Sequence, residues 1–555
     1  MKRNINKNIK HISFSIAMLS SLFYISSCRS ADIDQDKVLN GSERSGGLAA
    51  VNINLLGSEY ANSDKPAQVA SINQKGLNVD NDIQHYSVLV SPSSFITAEL
   101  TPNRFLSSVA SSKNLNTIAA VTGDQLGAGN KFRVIVYKHD DGSYKTYQDY
   151  TIGQPVAPLM LDGGVDYDIV AYSYGVNTLP AISSGEQSNI NSATVNYDDI
   201  NRDFMYKKIS YTPAPAGSSN ILDIKLRHKL TQITTIINSG SLGHITNASG
   251  ILTPHYRNGI VSLSSGAMSG RSTLSSGAVL SFPRLNTSTI TSTPVFVNAD
   301  TGGNATGGFS ADITIAGATK TISFPNSFKI TPENKSTLTI NLKACGAYLG
   351  PDYTDWKNFM CQNLGATEGI NPFSIEAGNY GAKYQWGAYT GEPGRYINQA
   401  QDQSNSETIS GWLTFSTDHR SWSDKSKGPN DPCPSGYRVP TKDEWYNFSI
   451  HNTNNIERQG SWNDENNNYS SVVFYKNKSN QRTLMLPAAG IRDRKTGELK
   501  SRGSYGVYWS SSRDSNDDDG YHISIHSDSN GGVYYSVEAV GASSTAGYSV
   551  RCIEH

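Results

Sequence analysis

The sequence predicts a mostly β, exported protein, and three observations carry that reading. Apolar and polar residues alternate in short runs, as where Val51, Ile53 and Leu55 interleave with Asn52 and Asn54, the period of two that puts apolar side chains on one face of a strand. Gly, Ser, Asn and Pro clusters separate the runs and mark turns between strands. Helical periodicity is scarce up to about residue 343, and the chain opens on a basic stretch followed by an apolar one, the pattern of a secretion signal.

Lys2, Arg3, Lys7 and Lys10 form the basic stretch, and Ile12 to Ile25 the apolar one, ending in Ser26-Ser27-Cys28. An apolar run of this length falls short of the roughly 20 residues a spanning helix needs. Small residues before a cysteine suit a signal peptidase. Residues 1–27 are thus expected to be a signal peptide. The segment resembles the lipobox of bacterial lipoproteins, which implies cleavage before Cys28, acyl chains on that residue and anchoring in the outer membrane; the other reading is a plain secreted protein cut just beyond it. Residues 28–47 hold Asp32, Asp34, Asp36 and Glu43 with few apolar residues, the composition of a solvated tether.

The chain, at 555 residues, is long enough for about three domains. Charged residues make up 17% with a net charge of −1, and no basic patch of the kind that neutralises phosphates is present, so nucleic acid is not an expected partner. Phe132, Val134 and Val136 form one strand face, Val170, Tyr172 and Tyr174 another, and Leu338, Ile340 and Leu342 a third. A boundary is expected near Arg202 to Tyr206, giving two β-sandwich domains over 48–210 and 211–343. The Ser- and Gly-rich stretch from Ser262 to Ser281 reads as surface loops.

The segments Asp203-Phe204-Met205-Tyr206 and Leu226-Arg227-His228-Lys229-Leu230-Thr231-Gln232-Ile233 resemble the mid-chain signature of fimbrillin-like proteins, the lipoprotein-derived pilins of Bacteroides-type bacteria. The resemblance implies tandem β-sandwiches, a cut after an arginine in the amino-terminal segment, and assembly with other pilin subunits through a donor strand, which completes an open sheet edge. Arg44, flanked by Ser42, Gly46 and Gly47, is the expected processing site, with Arg29 the other candidate; a merely solvated Arg44 is the bland reading. His228 interrupts an apolar strand and reads as a structural histidine.

Composition changes at Ala344: all seven Trp lie between Trp356 and Trp509. Cys345, Cys361, Cys433 and Cys552 also fall in this part, an even number that in an exported chain predicts two disulfides among three possible pairings. Cys345-Gly346-Ala347-Tyr348, Phe359-Met360-Cys361-Gln362-Asn363-Leu364-Gly365, Tyr384-Gln385-Trp386-Gly387, Cys433 to Thr441, Leu486-Pro487-Ala488-Ala489-Gly490, Tyr508-Trp509-Ser510-Ser511-Ser512 and Gly547 to Cys552 together resemble the Fibrobacter succinogenes major paralogous domain. That resemblance implies a scaffold akin to C-type lectins and formylglycine-generating enzymes over 344–555, an α+β binding module. Thr441 and Glu444 are spaced as a helix capping box. The copper-binding cysteine pair of formylglycine-generating enzymes is absent, as are the common nucleotide, zinc-protease and hydrolase motifs, so no catalysis is expected.

No metal or cofactor is expected either. Trp462-Asn463-Asp464 stands far from the last strand, unlike the calcium tripeptide of C-type lectins. The acidic run Asp514 to Asp519 is a weak calcium candidate whose register fails the EF-hand pattern. The order of parts predicts a fimbrial tip adhesin binding a glycan or protein receptor, with residues 550–553 held in the fold rather than free to donate a strand. The alternative is an uncleaved, monomeric surface lipoprotein. The receptor itself is not readable.

Overall fold

The computed structural model describes residues 46–64, 83–103, 123–198, 202–415, 422–452, 455–514, 519–527, 533–538 and 544–555. In chain order its first strands are β1 (Gly46–Glu59), β2 (Gln84–Ser91), β3 (Ser94–Pro102), β4 (Lys131–Lys138), β5 (Tyr144–Thr151), β6 (Leu159–Gly163) and β7 (Tyr167–Ser173). Next come β8 (Thr194–Asp198), β9 (Met205–Tyr211), β10 (Asn220–His228), β11 (Thr231–Asn238), β12 (Ile245–Thr253), β13 (Asn258–Ser262), β14 (Met268–Ser269) and β15 (Ala278–Leu280). β16 (Thr289–Thr291), β17 (Val295–Val297), β18 (Gly307–Ile315), β19 (Ala318–Phe328) and β20 (Lys335–Ala344) complete the β region.

One sheet runs β5-β4-β7-β9-β10-β1-β6. It folds over where β9 and β10 meet, because only Arg227 with Tyr206 and His228 with Met205 pair there. Val51, Ile53, Leu161, Leu222 and Ile224 from one half then share a core with Phe132, Val134, Val136 and Ile169 from the other. The opposite faces of β4 and β7 are buried too, Ile135, Tyr137, Val170 and Tyr172 packing on Val195, Tyr197 and Val261. β1 lies next to the sheet edge, paired parallel with β10 and antiparallel with the edge strand β6. Gly57 takes a positive φ of 105° where the register shifts, and a side chain there would meet the Asp124 carbonyl at 2.5 Å.

The second sandwich stacks β16-β11-β20-β3-β2 on β15-β12-β18-β19. Ile96, Ala98, Leu100, Ile237, Leu338 and Ile340 face Leu252, Phe309, Ala311 and Phe324 across it. The strand content matches a mostly β fold, but the expected join at residue 210 does not separate the sheets. β2 and β3, on the amino-terminal side of the join, pair in the second sandwich through β20. β10, on the other side, lies in the first sandwich beside β1, and β8 pairs with β13. Alternation specifies which face of a strand is buried and leaves its partner open. The Ser262 to Ser281 stretch contains β14 and the edge strand β15 between its turns.

β20 runs directly into the carboxy-terminal module, which begins with the hairpin β21 (Gly346–Gly350) and β22 (Thr354–Asn358). The module's described residues hold a three-stranded and a five-stranded sheet, two pairs of two-residue strands, a short helix α1 (Gln399–Ser404) and the helix α2 (Lys442–Asn452). Trp445 and Phe448 of α2 pack with Phe359, Tyr475 and Tyr508. No helix among the described residues is long and apolar enough to cross a membrane.

Two disulfides form, Cys345–Cys361 and Cys433–Cys552, with Cα separations of 5.1 and 5.9 Å. The first sits at the junction with the second sandwich, in a core with Phe95, Phe373, Val472, Phe474 and Met485. The Cys345 N–H donates to the Ser93 carbonyl at 2.8 Å and the Cys361 N–H to the Pro92 carbonyl at 2.7 Å. The bridges span 16 and 119 residues. In the chain-entropy account they stabilise by about 3 and about 5 kcal/mol, so replacing Cys433 and Cys552 by Ala should lower the denaturation midpoint more than replacing Cys345 and Cys361. Urea unfolding of the two double variants checks this, and the reverse order would refute the loop-length account.

Candidate functional site

Between the β2–β3 turn and the β21–β22 hairpin lies a cleft of about 690 Å³. The hairpin is tight: Asp352, Tyr353 and Asp355 all have φ between 53° and 62°, a left-handed conformation that non-glycine residues rarely adopt. Tyr348 and Trp356 face each other across the two strands, their rings 5.0 Å apart and edge to face, an arrangement aromatic quadrupoles favour. Gly346 makes room for the indole, since a side chain there would come within 2.5 Å of it.

A chain of hydrogen bonds fixes the polar wall. The Trp356 Nε1–H donates to Asn358 Oδ1 at 2.7 Å, and Asn358 Nδ2 donates to Glu554 Oε2 at 2.5 Å. On the facing side Ser93 Oγ bonds the Tyr437 hydroxyl at 2.7 Å, and the Ser91 and Ser94 hydroxyls bond each other at 2.6 Å. Lys320 of β19 lies at the rim. Aromatic rings beside a carboxylate, an amide, hydroxyls and an ammonium suit a ligand with an apolar face and a polar edge, as a sugar ring has. None of these cleft residues stands out as a ligand-binding residue in the sequence. Tyr348 and Trp356 flank Pro351-Asp352, a turn signal that pairs them across a hairpin, whereas Glu554 reaches the cleft only through the fold.

The residues singled out from sequence lie elsewhere. Cys28 and Arg44 fall outside the described residues. Thr441 and Glu444 form both bonds of a capping box on α2: the Glu444 N–H donates to Thr441 Oγ1 at 3.2 Å and the Thr441 N–H to Glu444 Oε2 at 2.7 Å. Arg438 grips the same carboxylate in a fork, at 2.6 and 2.8 Å. Of the acidic run, Asp514 and Asp519 share a backbone hydrogen bond of 3.0 Å, and residues 515–518 lie outside the described part. Asp464 accepts from the Ser501 hydroxyl at 3.3 Å. No group of three His, Cys, Asp or Glu suited to a metal occurs among the described residues.

His228 is buried, with Nδ1 on Asp203, Nε2 3.0 Å from Ser58 Oγ and its ring stacked on Tyr60 at 3.9 Å. The order Ser, His, Asp is that of a hydrolytic triad, but Ser58 is only 2% exposed and its N–H is bonded to the Asp124 carbonyl. The nucleophile is therefore enclosed and its usual oxyanion donor occupied. The cluster ties the ends of β1 and β10 to the start of β9. His522 is also a core residue: it packs by Trp509 and Tyr548, and burial lowers its pKa to about 4.

Residues 339–554 match the family model of the Fibrobacter succinogenes major domain. No curated protein matches the chain. Among solved structures, it is similar to a candidate cell adhesion protein of Bacteroides fragilis, at 10% identity and a TM-score of 0.29 over 53% of this chain and 92% of that one. A candidate cell adhesion protein of Bacteroides uniformis gives 14% identity and 0.28, over 39% and 86%. A candidate polysaccharide-binding protein of Bacteroides thetaiotaomicron gives 10% and 0.23, over 35% and 72%. Both measures are low, and these likenesses carry no weight for function.

The module's most charged interior point is Asp402, on α1, which meets three cations. Arg492 Nε lies 2.8 Å from Oδ1, Arg502 Nη2 2.7 Å and Lys383 Nζ 3.4 Å from Oδ2, all nearly without solvent exposure. Burial opposes ionisation of Asp402, but Lys383, Arg502 and Arg492 outweigh it and hold its pKa below the usual range. For Lys383, burial dominates, Asp402 offsets part of it, and the pKa falls to about 8. The guanidiniums also bond the carbonyls of Asp402, Asn405, Asn466 and Gly497, so the cluster binds loops together. Above pH 8 folded Lys383 has shed a proton that the unfolded chain keeps up to its ordinary pKa of 10.5, so stability should rise with pH across that window. Buried tyrosines such as Tyr508, whose pKa burial raises from 10.0, act in the opposite sense above pH 10. The urea midpoint should therefore climb between pH 8 and pH 10 in the native chain and stay flat in Lys383→Met; an equal climb in both would show another group responsible.

Proposed function

We propose that this chain is a cell-surface adhesin, lipid-anchored through Cys28, that uses its carboxy-terminal module to hold a glycan in the Trp356 cleft. The observation that carries the reading is the Trp356 and Tyr348 pair standing beside the Asn358 and Glu554 polar chain. The rings supply a face for the C–H side of a sugar and the polar chain supplies partners for its hydroxyls. The module match over residues 339–554 and the secretion signal are consistent with a binding head displayed outside the cell. A protein receptor in the same cleft is the other occupant of this reading.

Placement at the tip of a fimbrium is the finer form of the proposal, and the strand pairing constrains it. A cut after Arg44 leaves β1 whole, because β1 begins at Gly46 and pairs with both β6 and β10. A donor strand would then add to a free edge, such as that of β6, rather than replace β1. The strand Ile553–Glu554 pairs with Tyr437–Arg438 and follows the bridged Cys552, so these residues are not free to act as a donor. The uncleaved, monomeric surface lipoprotein keeps the same cleft and differs only in assembly.

Mass spectrometry of the mature amino terminus separates the two forms. A chain beginning at Ser45 in sheared, high-mass polymer is the result expected of a tip subunit, whereas one beginning at acylated Cys28 and recovered only as a membrane monomer would leave the lipoprotein. For the cleft, Trp356→Ala should weaken glycan capture on an array by about tenfold, on the order of 1.4 kcal/mol, with the circular dichroism of the fold unchanged. Undiminished capture would rule out the Trp356 cleft as the site.

A further inference from the structure

A second cleft, of about 480 Å³, also lies between the second sandwich and the module. Its chemistry differs from that of the first. β20 contributes Asn341 and Lys343, and the module contributes Asn371, Phe373, Gln481 and Arg482. The Lys343 ammonium lies 5.7 Å from the centre of the Phe95 ring and 5.9 Å from that of Phe373, and no carboxylate among the described residues pairs with it. Arg482 is already committed: it forks onto Glu457 and lies 3.7 Å over the Phe474 ring. Glu457 is shared with Lys476 at 3.1 Å. Lys343, Lys476 and Arg482 thus stand against two carboxylates in this neighbourhood, Glu457 and the more distant Glu99 that attracts Lys343, an excess of one positive charge with low-dielectric walls of aromatic rings.

Donors without a partner accompany that charge. The Asn371 side-chain oxygen accepts the Phe373 N–H at 2.9 Å, and the Gln481 oxygen accepts from Asn477 at 3.1 Å, which turns both amide nitrogens to donors that meet no protein acceptor among the described residues. A half-buried cation without a bonded counter-ion costs free energy that the Phe95 and Phe373 rings and the more distant Glu99 offset only in part. A ligand that brings one negative charge and several hydroxyl acceptors would recover it.

We propose that the Lys343 cleft binds a carboxylated sugar residue, with the ammonium of Lys343 on the carboxylate, the amides of Asn371 and Gln481 on ring hydroxyls, and Phe373 against the ring. The amides and the aromatic wall favour a hydroxyl-rich acid over an acidic peptide. The site is independent of the Trp356 cleft and does not need that cleft to bind.

The test uses the mature full-length chain, tetragalacturonate as the probe, and its fully methyl-esterified form as the neutral control. Calorimetry should show binding of the acid and not of the ester, weakened by about tenfold in Lys343→Met and by raised salt. Lys343→Met keeps the stem over the Phe rings and should unfold no more readily than the native chain, and Gln481→Leu gives a second, smaller loss. Trp356→Ala should leave tetragalacturonate binding intact, which separates this site from the first. Equal binding of acid and ester, no binding, or binding unaffected by Lys343→Met would overturn the proposal. Hexaglutamate bound more tightly than the sugar acid, with the same dependence on Lys343, would overturn it in favour of an acidic peptide.

Discussion

Two backbone hydrogen bonds hold the seam between the second sandwich and the module together: the N–H groups of Cys345 and Cys361 donate to the carbonyls of Ser93 and Pro92. They fasten the module to the turn between β2 and β3, and the disulfide between the same two cysteines locks the donors to each other. Phe95 and Phe373 meet edge to face at 5.0 Å behind them, burying apolar surface that would otherwise stay wet. Each cleft takes one wall from the sandwich and one from the module. A shift of this seam would therefore alter both together, which makes the sandwich a wall of each cleft as well as the module's support.

Much of the β region was legible because a buried sheet face imposes a period of two. Phe132, Val134 and Val136 do line one core, and Leu338, Ile340 and Leu342 another. Partnership was not legible. β1 and β10 pair in parallel although nearly 170 residues separate Asn54 from its partner Asp223, and local pattern has no term for such a contact. The interleaving of β2 and β3 into the second sandwich escaped for the same reason. Four cysteines announced two bridges, while the pairing needed the fold to bring Cys433 beside Cys552.

The clefts were less legible than the scaffold. A tryptophan in a folded module reads first as core, and six of the seven here are buried or packed inside. Trp356 differs because a strained hairpin presents it beside Tyr348 at the surface. Lys343 follows Leu342, which faces the core, and in the sequence it is one more polar residue on an alternating strand. Only the module packed over that strand turns its ordinary solvated position into a half-enclosed one. Electrostatics of this kind arise from what covers a residue, and that information lies elsewhere in the chain.

The bridge between Cys433 and Cys552 bears on how the chain withstands proteolysis. It closes a covalent ring that contains most of the module, including α2 and the five-stranded sheet. One cut in any loop between residues 434 and 551 opens the ring without releasing a fragment, because both new ends remain joined through the sulfur atoms. The Trp356 and Glu554 sides of the cleft flank this ring, so a nicked molecule keeps both on one covalent unit. A cut inside the ring therefore detaches none of the module until a second cut within it or a reductant opens the sulfur link.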